Sequence, residues 1–225
     1  LFDYILKKNS NQNILREINC LKFIIENAEK NNPISVLNTI DKFGWEESFL
    51  MNVGDIKGQI LTDELKKKSP KIILEVGAYI GYSAVRISSQ LSNESKLISV
   101  ELSPTNINYA KQTVDYAGLS DRVTFVEGTV TTALKPYLEK ENIDGFDFVF
   151  LDHNKQYYLS DLKYLLNENL LKPGAIVVAD NVLIPGAPDY WYFVSFDPRF
   201  TTKSHFTRIE YLPLPDVVTV SRFLG

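Results

Sequence analysis

Acidic residues recur at the ends of apolar segments in this chain. The carboxylates that end, or directly follow, a short run of Ile, Leu, Val, Ala or Phe are Glu75, Glu101, Asp152 and Asp180. In open α/β sheets, ligands bind beyond the carboxyl ends of the strands. A carboxylate buried there without a partner costs free energy. Four such side chains at one sheet edge predict a site for a cation, for a polyhydroxyl ligand, or for both.

Two of these carboxylates form a pattern typical of a magnesium site. Lys155 follows Asp152 by three residues, and Asn181 follows Asp180 directly. Magnesium prefers hard oxygen ligands in an octahedron, so two carboxylates and one amide oxygen leave positions for two adjacent hydroxyls and a water. A divalent ion also favours a neutral amine on a lysine beside it. The alternative is structural: Asp180 and Asn181 cap the next segment, and Asp152 pairs with Lys155.

A glycine-containing segment at 75–83 follows the first apolar run. Gly77 and Gly81 allow the backbone to turn sharply and to approach a ligand closely. The G-x-G-x-x-G pattern of dinucleotide-binding loops is absent. Glu101, at the end of the next run, suits the two hydroxyls of a ribose. These residues favour an adenosyl donor and leave a nicotinamide dinucleotide open.

Short apolar runs separated by helical patterns predict the sheet that positions these residues. The runs cover 71–76, 97–101, 123–126, 146–151 and 175–179. Continuous apolar strands joined by helices are typical of a parallel sheet covered on both faces. Two further predicted strands, 206–212 and 217–223, flank a turn at 213–216 and must therefore be antiparallel. The expected fold class is α/β: a mostly parallel sheet with one antiparallel strand at or near its end.

The N-terminal part is predicted to be helical. Apolar residues recur at helical spacing at Ile14, Ile18, Leu21 and Ile25. The sequence Asn31-Asn32-Pro33 ends this helix, and further helices are predicted at 35–43 and 57–68. No repeat or linker interrupts the chain. We therefore predict one domain over 1–225, with a helical part at 1–69 and an α/β core at 70–225.

Composition disfavours several classes of protein. The 225 residues are 44% hydrophobic and carry a formal net charge of −4, so a nucleic-acid partner is not expected. The basic run Lys66-Lys67-Lys68 is interpreted as the favourable positive end of a helix. The single cysteine, Cys20, excludes an intrachain disulfide, indicates a reducing compartment and is assigned to the core. No apolar run is long enough for a bilayer. We expect a cytoplasmic protein without membrane association, either a monomer or a weak homodimer.

Several longer motifs together resemble the catechol O-methyltransferase family. They are MNVGDIKGQI at 51–60, EVGAYIGYSAVR at 75–86, FLDH at 150–153, ADNV at 179–182 and PGAPD at 185–189. They occur in order and with nearly constant spacing over almost the whole chain. The resemblance implies a Rossmann-like class I methyltransferase fold with a seven-stranded sheet. It also implies Mg²⁺-dependent methyl transfer from S-adenosylmethionine to one hydroxyl of a catechol.

The resemblance further implies roles for individual residues. Asp152, Asp180 and Asn181 would hold magnesium, and Lys155 would be the general base. Glu210, expected in a strand, would bind the second substrate hydroxyl. The substrate site would comprise Asp152, Lys155, Asn181, Pro185, Glu210 and Phe49. Residues expected around the donor are Met51, Val53, Glu75, Gly77, Tyr79, Ser83, Glu101, Leu102, Gly128, Thr129, Val130, Asp152 and His153.

The sequence departs from the family pattern at three places. Phe49 stands where animal members usually have Trp before the MNVG motif, and Asn154 stands where Trp usually follows the Asp-His pair. Val130-Thr131 replaces a Ser-Gln pair near the adenine. These changes leave the chemistry intact and bear on donor affinity and substrate range.

Other functions compete with this hypothesis. A nicotinamide-dependent oxidoreductase would require the absent glycine pattern. A binding or regulatory protein without turnover would not need all of the polar residues assigned above. Methylation of another small phenol remains open, and methylation of an RNA hydroxyl is disfavoured by the acidic net charge. The aromatic run at 190–193 is interpreted as packing residues rather than as an acceptor pocket.

Overall fold

A seven-stranded sheet organises the protein. The computed structural model describes residues 10–225, with side chains from Leu15 onward. The strands are β1 (Ile72–Val76), β2 (Lys96–Glu101), β3 (Val123–Glu127), β4 (Phe146–Leu151), β5 (Leu171–Ala179), β6 (Phe200–Arg208) and β7 (Pro215–Phe223). Their spatial order is β3-β2-β1-β4-β5-β7-β6. β1 to β5 are parallel, and β7 runs antiparallel to both of its neighbours.

Alternate residues of the central strands face two separate apolar cores. In β1, Ile73 packs into one core and Leu74 into the other, and in β4 Phe148 and Val149 divide in the same way. This alternation follows from the two-residue period of a strand. The strands are apolar throughout because helices bury both faces of the sheet. The predicted fold class is confirmed, including the antiparallel strand near the sheet edge.

Helices from the two halves of the chain cover opposite faces of the sheet. Those that contribute to the first core are α1 (Ser10–Asn27), α2 (Pro33–Glu46), α3 (Gly54–Lys68), α4 (Tyr82–Ser88) and α5 (Pro104–Tyr116). Those that contribute to the second core are α6 (Lys135–Glu141), α7 (Tyr158–Asn167) and α8 (Pro188–Phe196). Short 3₁₀ turns occur at Ser120–Arg122 and Lys155–Tyr157, and π turns at Val130–Leu134 and Val182–Gly186.

The buried side of α1 differs from the predicted one. Cys20 and Ile24 are buried, so Cys20 is a core residue as expected, whereas Ile25 is 60% exposed and its assignment to the apolar face is wrong. The stripe is rotated because Glu17, a polar residue that an apolar pattern does not count, takes a buried position. The side chain of Ile14 lies outside the described residues.

The strand predicted at 206–212 lies earlier in the chain. β6 pairs with β7 from Phe200 opposite Phe223 to Arg208 opposite Pro215. Residues 209–214 form the connecting turn, closed by the Ile209 amide donating to the Leu214 carbonyl at 2.8 Å. The prediction of Glu210 in a strand is therefore wrong. β6 lacks an apolar pattern because it is an edge strand and is largely polar. The residues that flank Glu210, Ile209 and Tyr211, are buried although they lie outside the strand.

Candidate active site

The loop after β1 is shaped by two glycines with positive φ. Gly77 has φ +98°, and a Cβ at this position would lie 2.6 Å from the carbonyl oxygen of Asp152. Gly81 has φ +85°, and a Cβ there would lie 2.9 Å from the backbone of Ala110. Only glycine tolerates both the conformation and the close packing. The loop therefore lies directly against the end of β4, where Asp152 is located.

Glu101 at the end of β2 organises this loop through its backbone. One carboxylate oxygen accepts from the amides of Ala78 and Tyr79 at 3.0 and 3.1 Å, and the other accepts from the Ser103 amide at 2.8 Å. The oxygen that binds Ala78 and Tyr79 already accepts two hydrogen bonds, whereas the oxygen that binds Ser103 keeps a second lone pair. The geometry is therefore compatible with the predicted role at a ribose through that second oxygen.

Glu75 is a fully buried acid beneath the same loop. The Ser99 hydroxyl donates to one of its oxygens at 2.5 Å, and the other oxygen has no hydrogen-bond partner within the described chain. Burial raises the pKa of Glu75 to about 7. A buried acceptor without a partner requires an explanation, and a donor group on a bound ligand would satisfy it.

Tyr79 connects the loop to the N-terminal helix. Its hydroxyl donates to Glu17, which also pairs with Arg16 at 2.7 Å. Tyr79 has φ +48°, which turns the chain inside the loop. The sequence interpretation missed Glu17 and Arg16. The available signal was the position of Glu17, an acid that lies three residues after Ile14 and four before Leu21 and so falls on the predicted apolar face.

The remaining residues predicted around a donor differ in exposure. Val53, Ser83 and Val130 are buried. Met51 and Leu102 are 38% and 69% exposed. Met51 and Val53 precede α3, and Ser83 lies in the first turn of α4. Leu102 directly follows β2, and Val130 lies in the turn after β3. The exposed pair is accessible to a ligand, whereas Val130 packs within the second core.

The ends of β3 and β4 supply the other predicted donor contacts. Gly128 follows β3 with φ +134°, and Thr129 caps the π turn behind it by accepting from the Thr132 amide. His153 Nε2 lies 2.8 Å from a carboxylate oxygen of Asp161, and its ring packs against Tyr158 with centroids 5.0 Å apart. Asp161 thereby fixes the orientation of the imidazole, a role the sequence interpretation did not assign.

Asp152 and Lys155 form an ion pair beyond the end of β4. Lys155 Nζ lies 3.0 Å from Asp152 Oδ1, with side chains 11% and 10% exposed. Burial raises the pKa of Asp152, and Lys155 opposes that effect. The Asp152–Lys155 part of the structural alternative is thus formed, whereas the side chain of Asn181 makes no hydrogen bond that caps the next turn. The same pair places an amine beside a predicted metal ligand.

Tyr158 ties the two strand ends together. Its buried hydroxyl lies 2.8 Å from the carbonyl oxygen of Leu151 and 3.1 Å from that of Asp180. The Asp180 amide also donates to the Leu151 carbonyl at 3.0 Å. Because Leu151 directly precedes Asp152, these bonds set the separation of the two predicted metal-binding carboxylates.

Asp180 is fully buried and has one oxygen free. Its Oδ1 accepts from the Asn181 amide at 2.8 Å and lies 2.9 Å from Lys57 Nζ. Its Oδ2 is buried and has no hydrogen-bond partner in the described part of the chain. Burial raises the pKa of Asp180 to about 6, although Lys57 opposes the shift.

Lys57 is a buried cation that the sequence interpretation missed. Its ammonium contacts Asp180 at 2.9 Å, Glu210 at 2.7 Å and Asp216 at 3.1 Å, and its side chain is 1% exposed. Burial alone lowers the pKa of Lys57, but the three carboxylates outweigh it and raise the pKa. Lys57 stands inside the MNVGDIKGQI motif, and a lysine one turn into a helix next to Gly58 was the only local signal.

Asn181 and Glu210 meet in the same cluster. The Asn181 side-chain amide donates to Asp216 at 2.9 Å and to Glu210 at 3.4 Å. Glu210 reaches the cluster because Gly54 has φ +67° and no side chain. A Cβ at Gly54 would lie 2.9 Å from the Glu210 Cβ. These bonds use only the NH₂ group of the Asn181 side chain, so its carbonyl oxygen can accept from, or bind, another partner.

The residues at these strand ends fit a divalent cation. Asp180 offers a buried carboxylate oxygen without a partner, and Asp152 offers a second carboxylate. With the Asn181 amide oxygen, the set consists of the hard ligands that magnesium prefers. Within residues 10–225 no group of three or more His, Cys, Asp or Glu side chains is arranged to hold a metal. The proposed set differs from such a group because its third ligand is an amide.

The two predicted walls of the substrate site differ in exposure: Phe49 is partly buried against the first core, whereas Pro185 is exposed. Asn154, which departs from the family pattern on the donor side, is also exposed. In the aromatic run, Tyr190 is buried and Tyr192 is 69% exposed. A surface cavity of about 450 Å³ lies beside α8, the helix that carries this run. None of its lining residues is a predicted site residue; they are Leu159, Asp189, Tyr192, Phe193, Phe196 and Asp197. The interpretation of this run as packing residues is thus correct for Tyr190, whereas Tyr192 is exposed and lines the cavity together with Phe193.

The basic run agrees with the sequence interpretation. Lys66-Lys67-Lys68 ends α3, where Lys68 donates to the Gly174 carbonyl and Lys67 pairs with Glu64. In residues 10–225, none of the helices combines the length and the apolarity that crossing a membrane requires.

The family of the chain is shown by comparison with known proteins. The O-methyltransferase family model matches residues 29–189. The chain belongs to this family, so its class is that of an O-methyltransferase.

Curated relatives extend the match over most of the chain. A protein named a probable O-methyltransferase from Mycobacterium tuberculosis is 41% identical over 218 residues, covering 93% of each chain. The catechol O-methyltransferase of Mus musculus is 36% identical and covers 93% of this chain and 79% of that protein. The Sus scrofa catechol O-methyltransferase is 42% identical, over 78% and 94% respectively. The resemblance to the catechol O-methyltransferases is confirmed.

Solved structures share the fold. The O-methyltransferase TomG from Streptomyces achromogenes, solved with SAM, has a TM-score of 0.73 at 22% identity and covers 84% of this chain and 90% of that one. An O-methyltransferase from Bacillus cereus, solved with SAH, has a TM-score of 0.71 at 21% identity and covers 87% and 91%. At these identities the likeness establishes the architecture alone.

Proposed function

We propose that the protein transfers a methyl group from S-adenosylmethionine to one of two adjacent hydroxyls on a catechol-type acceptor, with Mg²⁺ bound. The observation that carries this proposal is the convergence of Asp152, Lys155, Asp180, Asn181 and Glu210 next to the glycine loop. The catechol O-methyltransferases among the relatives support the same acceptor class.

Donor binding is assigned to the loop side of the site. When bound, S-adenosylmethionine supplies an electrophilic methyl group on a positively charged sulfur. Glu75 has a buried oxygen available for a donor group of the ligand, and Glu101 lies where a ribose is expected. Homologous folds were solved with SAM or SAH, which supports this choice.

The acceptor is assigned to the charged side of the site. Asp152, Asp180 and Asn181 would hold magnesium, which stabilises the ionised form of a coordinated hydroxyl. Lys155 Nζ takes the proton from the reacting hydroxyl, whose oxygen gains the methyl group as the carbon–sulfur bond breaks. Glu210 accepts a hydrogen bond from the second hydroxyl. An ammonium has no lone pair, so Lys155 must first release its own proton to solvent and leave its ion pair with Asp152.

Exclusion of water favours this reaction. Asp180, Asn181, Glu210 and Lys57 are all less than 10% exposed. Opposite charges on sulfur and oxygen neutralise as the methyl group moves, so a water-poor site lowers the barrier. The backbone ties around Tyr158 hold the charged groups in place before substrate arrives.

The test is direct. Purified protein is incubated with isotopically labelled donor, Mg²⁺ and a panel of catechols, matched monophenols and RNA. We expect methylation of catechols only, and its loss in excess chelator. Equal methylation of monophenols, or full activity in chelator, would contradict the proposed acceptor and the proposed metal respectively.

A further inference from the structure

Lys57 has no part in the reaction as proposed, yet its ammonium lies in the centre of the charged cluster. Within the described residues it is the only cationic side chain within 4 Å of Glu210 and Asp216. A lysine ammonium has three donors. Here the ammonium donates to Glu210 in the β6–β7 turn and to Asp216 in β7, and the carboxylate of Asp180 after β5 lies 2.9 Å away.

The carboxylates outnumber the cation. Lys57 can balance only one of the three negative charges, and Asn181 adds only neutral donors to Glu210 and Asp216. Like charges at this spacing repel strongly in a buried site. Without Lys57, Glu210 would be pushed away from Asp180 and Asp216, and its turn has no other described ionic contact.

The contact at Asp180 is also one-sided. Lys57 occupies the Oδ1 side, while Oδ2 has no hydrogen-bond partner among the described residues. A cation at Oδ2 would therefore share the Asp180 carboxylate with the ammonium, and the two positive charges would repel each other.

We propose that Lys57 is a positioning residue that holds Glu210 toward the acceptor while it weakens divalent-cation binding at Asp180. This inference rests on the proposed function for the role of Glu210. The alternative is that Lys57 only supports Asp180. In that case, loss of the lysine would misplace Asp180 and weaken the binding of a divalent cation. If Lys57 instead repels the cation, its loss tightens cation binding.

The first experiment measures Mn²⁺ binding without substrate or donor. Paramagnetic resonance of free Mn²⁺ gives the Kd for the wild type and for Lys57→Met, which keeps the apolar stem and removes the charge. We expect binding to tighten by about tenfold in Lys57→Met. The control is Lys68→Met, on the same helix, whose lysine contacts only the Gly174 carbonyl and should leave the Kd unchanged.

The second experiment measures which hydroxyl is methylated. An unsymmetrical catechol such as 3,4-dihydroxybenzoate gives two monomethyl products, whose ratio does not depend on the amount of folded enzyme. We expect the ratio to move toward one in Lys57→Met, because Glu210 no longer orients the ring. Unchanged or weaker Mn²⁺ binding, or an unchanged product ratio, would overturn the proposal.

A folding failure of Lys57→Met does not end the test. The double variant Lys57→Met, Asp216→Asn removes the lysine together with one carboxylate that it balances, and the same two measurements apply. If the wild type methylates no catechol, the proposed function fails. The Mn²⁺ comparison still decides the sign of the Lys57 effect.

Discussion

The proposed donor side and the proposed acceptor side of the site are built in different ways. The donor loop is shaped by its backbone. Gly77 and Gly81 permit the turn, and the carboxylate of Glu101 accepts hydrogen bonds from two backbone amides of the loop. The acceptor side is shaped by side-chain charges around Lys57, whose partners Glu210 and Asp216 lie 153 and 159 residues away in the chain. Backbone geometry tolerates many side chains, whereas a buried charge cluster depends on every member. Substitutions should therefore separate the two sides.

The largest difference between the effect on turnover and the effect on donor binding is expected at Lys155. Lys155→Met should lower turnover about 10²–10⁴-fold at neutral pH, because the proton acceptor is lost. Donor affinity should stay the same, since the lysine lies on the acceptor side. Single-turnover rates and calorimetric donor binding measure the two effects. Lys163→Met, a lysine that lies over the Phe193 ring, serves as the control and should keep full turnover.

Gly77→Ala should weaken donor binding and should also affect the acceptor side, so its effects are not confined to one side of the site. The added Cβ meets the Asp152 carbonyl oxygen, so the strain reaches the acceptor side through the backbone. We expect donor binding to weaken by about 10–100-fold, from about 1–3 kcal/mol of strain. Gly186→Ala has a similar positive φ of +106° with its nearest atom at 4.0 Å. Equal losses in both variants would show that φ alone, not the contact with Asp152, is responsible.

Asp41 tests whether the charge network extends behind the acceptor side. It accepts from the hydroxyls of Tyr211 and Tyr82, and burial raises its pKa to about 6 from an ordinary 3.8. The folded state therefore binds the proton more tightly than the unfolded state. The stability from this group is complete below pH about 4 and is lost as pH rises through about 6.

The matching variant isolates this effect. Denaturant titrations of the wild type and Asp41→Asn should show the wild type losing about 2 kcal/mol relative to the variant between pH 4 and 7. Parallel pH profiles for the two proteins would exclude Asp41 as the titrating group.

The smallest effect is expected at Tyr158, where both sides share a backbone support. Tyr158→Phe removes the hydroxyl between Leu151 and Asp180 and should lower the free energy of unfolding by about 1 kcal/mol. Mn²⁺ binding should weaken with it. Tyr190→Phe removes a buried hydroxyl that has no hydrogen-bond partner in the described chain, so it should cost less. The reverse order would contradict the proposed support.

Prediction from sequence worked where the controlling contacts are local. The strands of the parallel sheet alternate between two cores, so an apolar run is enough to identify them. It failed for β6, an edge strand whose pairing with β7 sets its limits. It also failed for Ile25, because the buried stripe of α1 includes Glu17, and that position depends on Tyr79.

The sequence by itself determined the fold class, the family and the acids that follow the strand ends, because strand ends and glycine turns are encoded by neighbours in the chain. Only the tertiary structure decided that Lys57, Glu210 and Asp216 share one buried cluster with Asp180. The three carboxylates are stabilised by one ammonium through contacts between segments that are distant in the chain. The spacing of residues along the chain does not indicate such contacts.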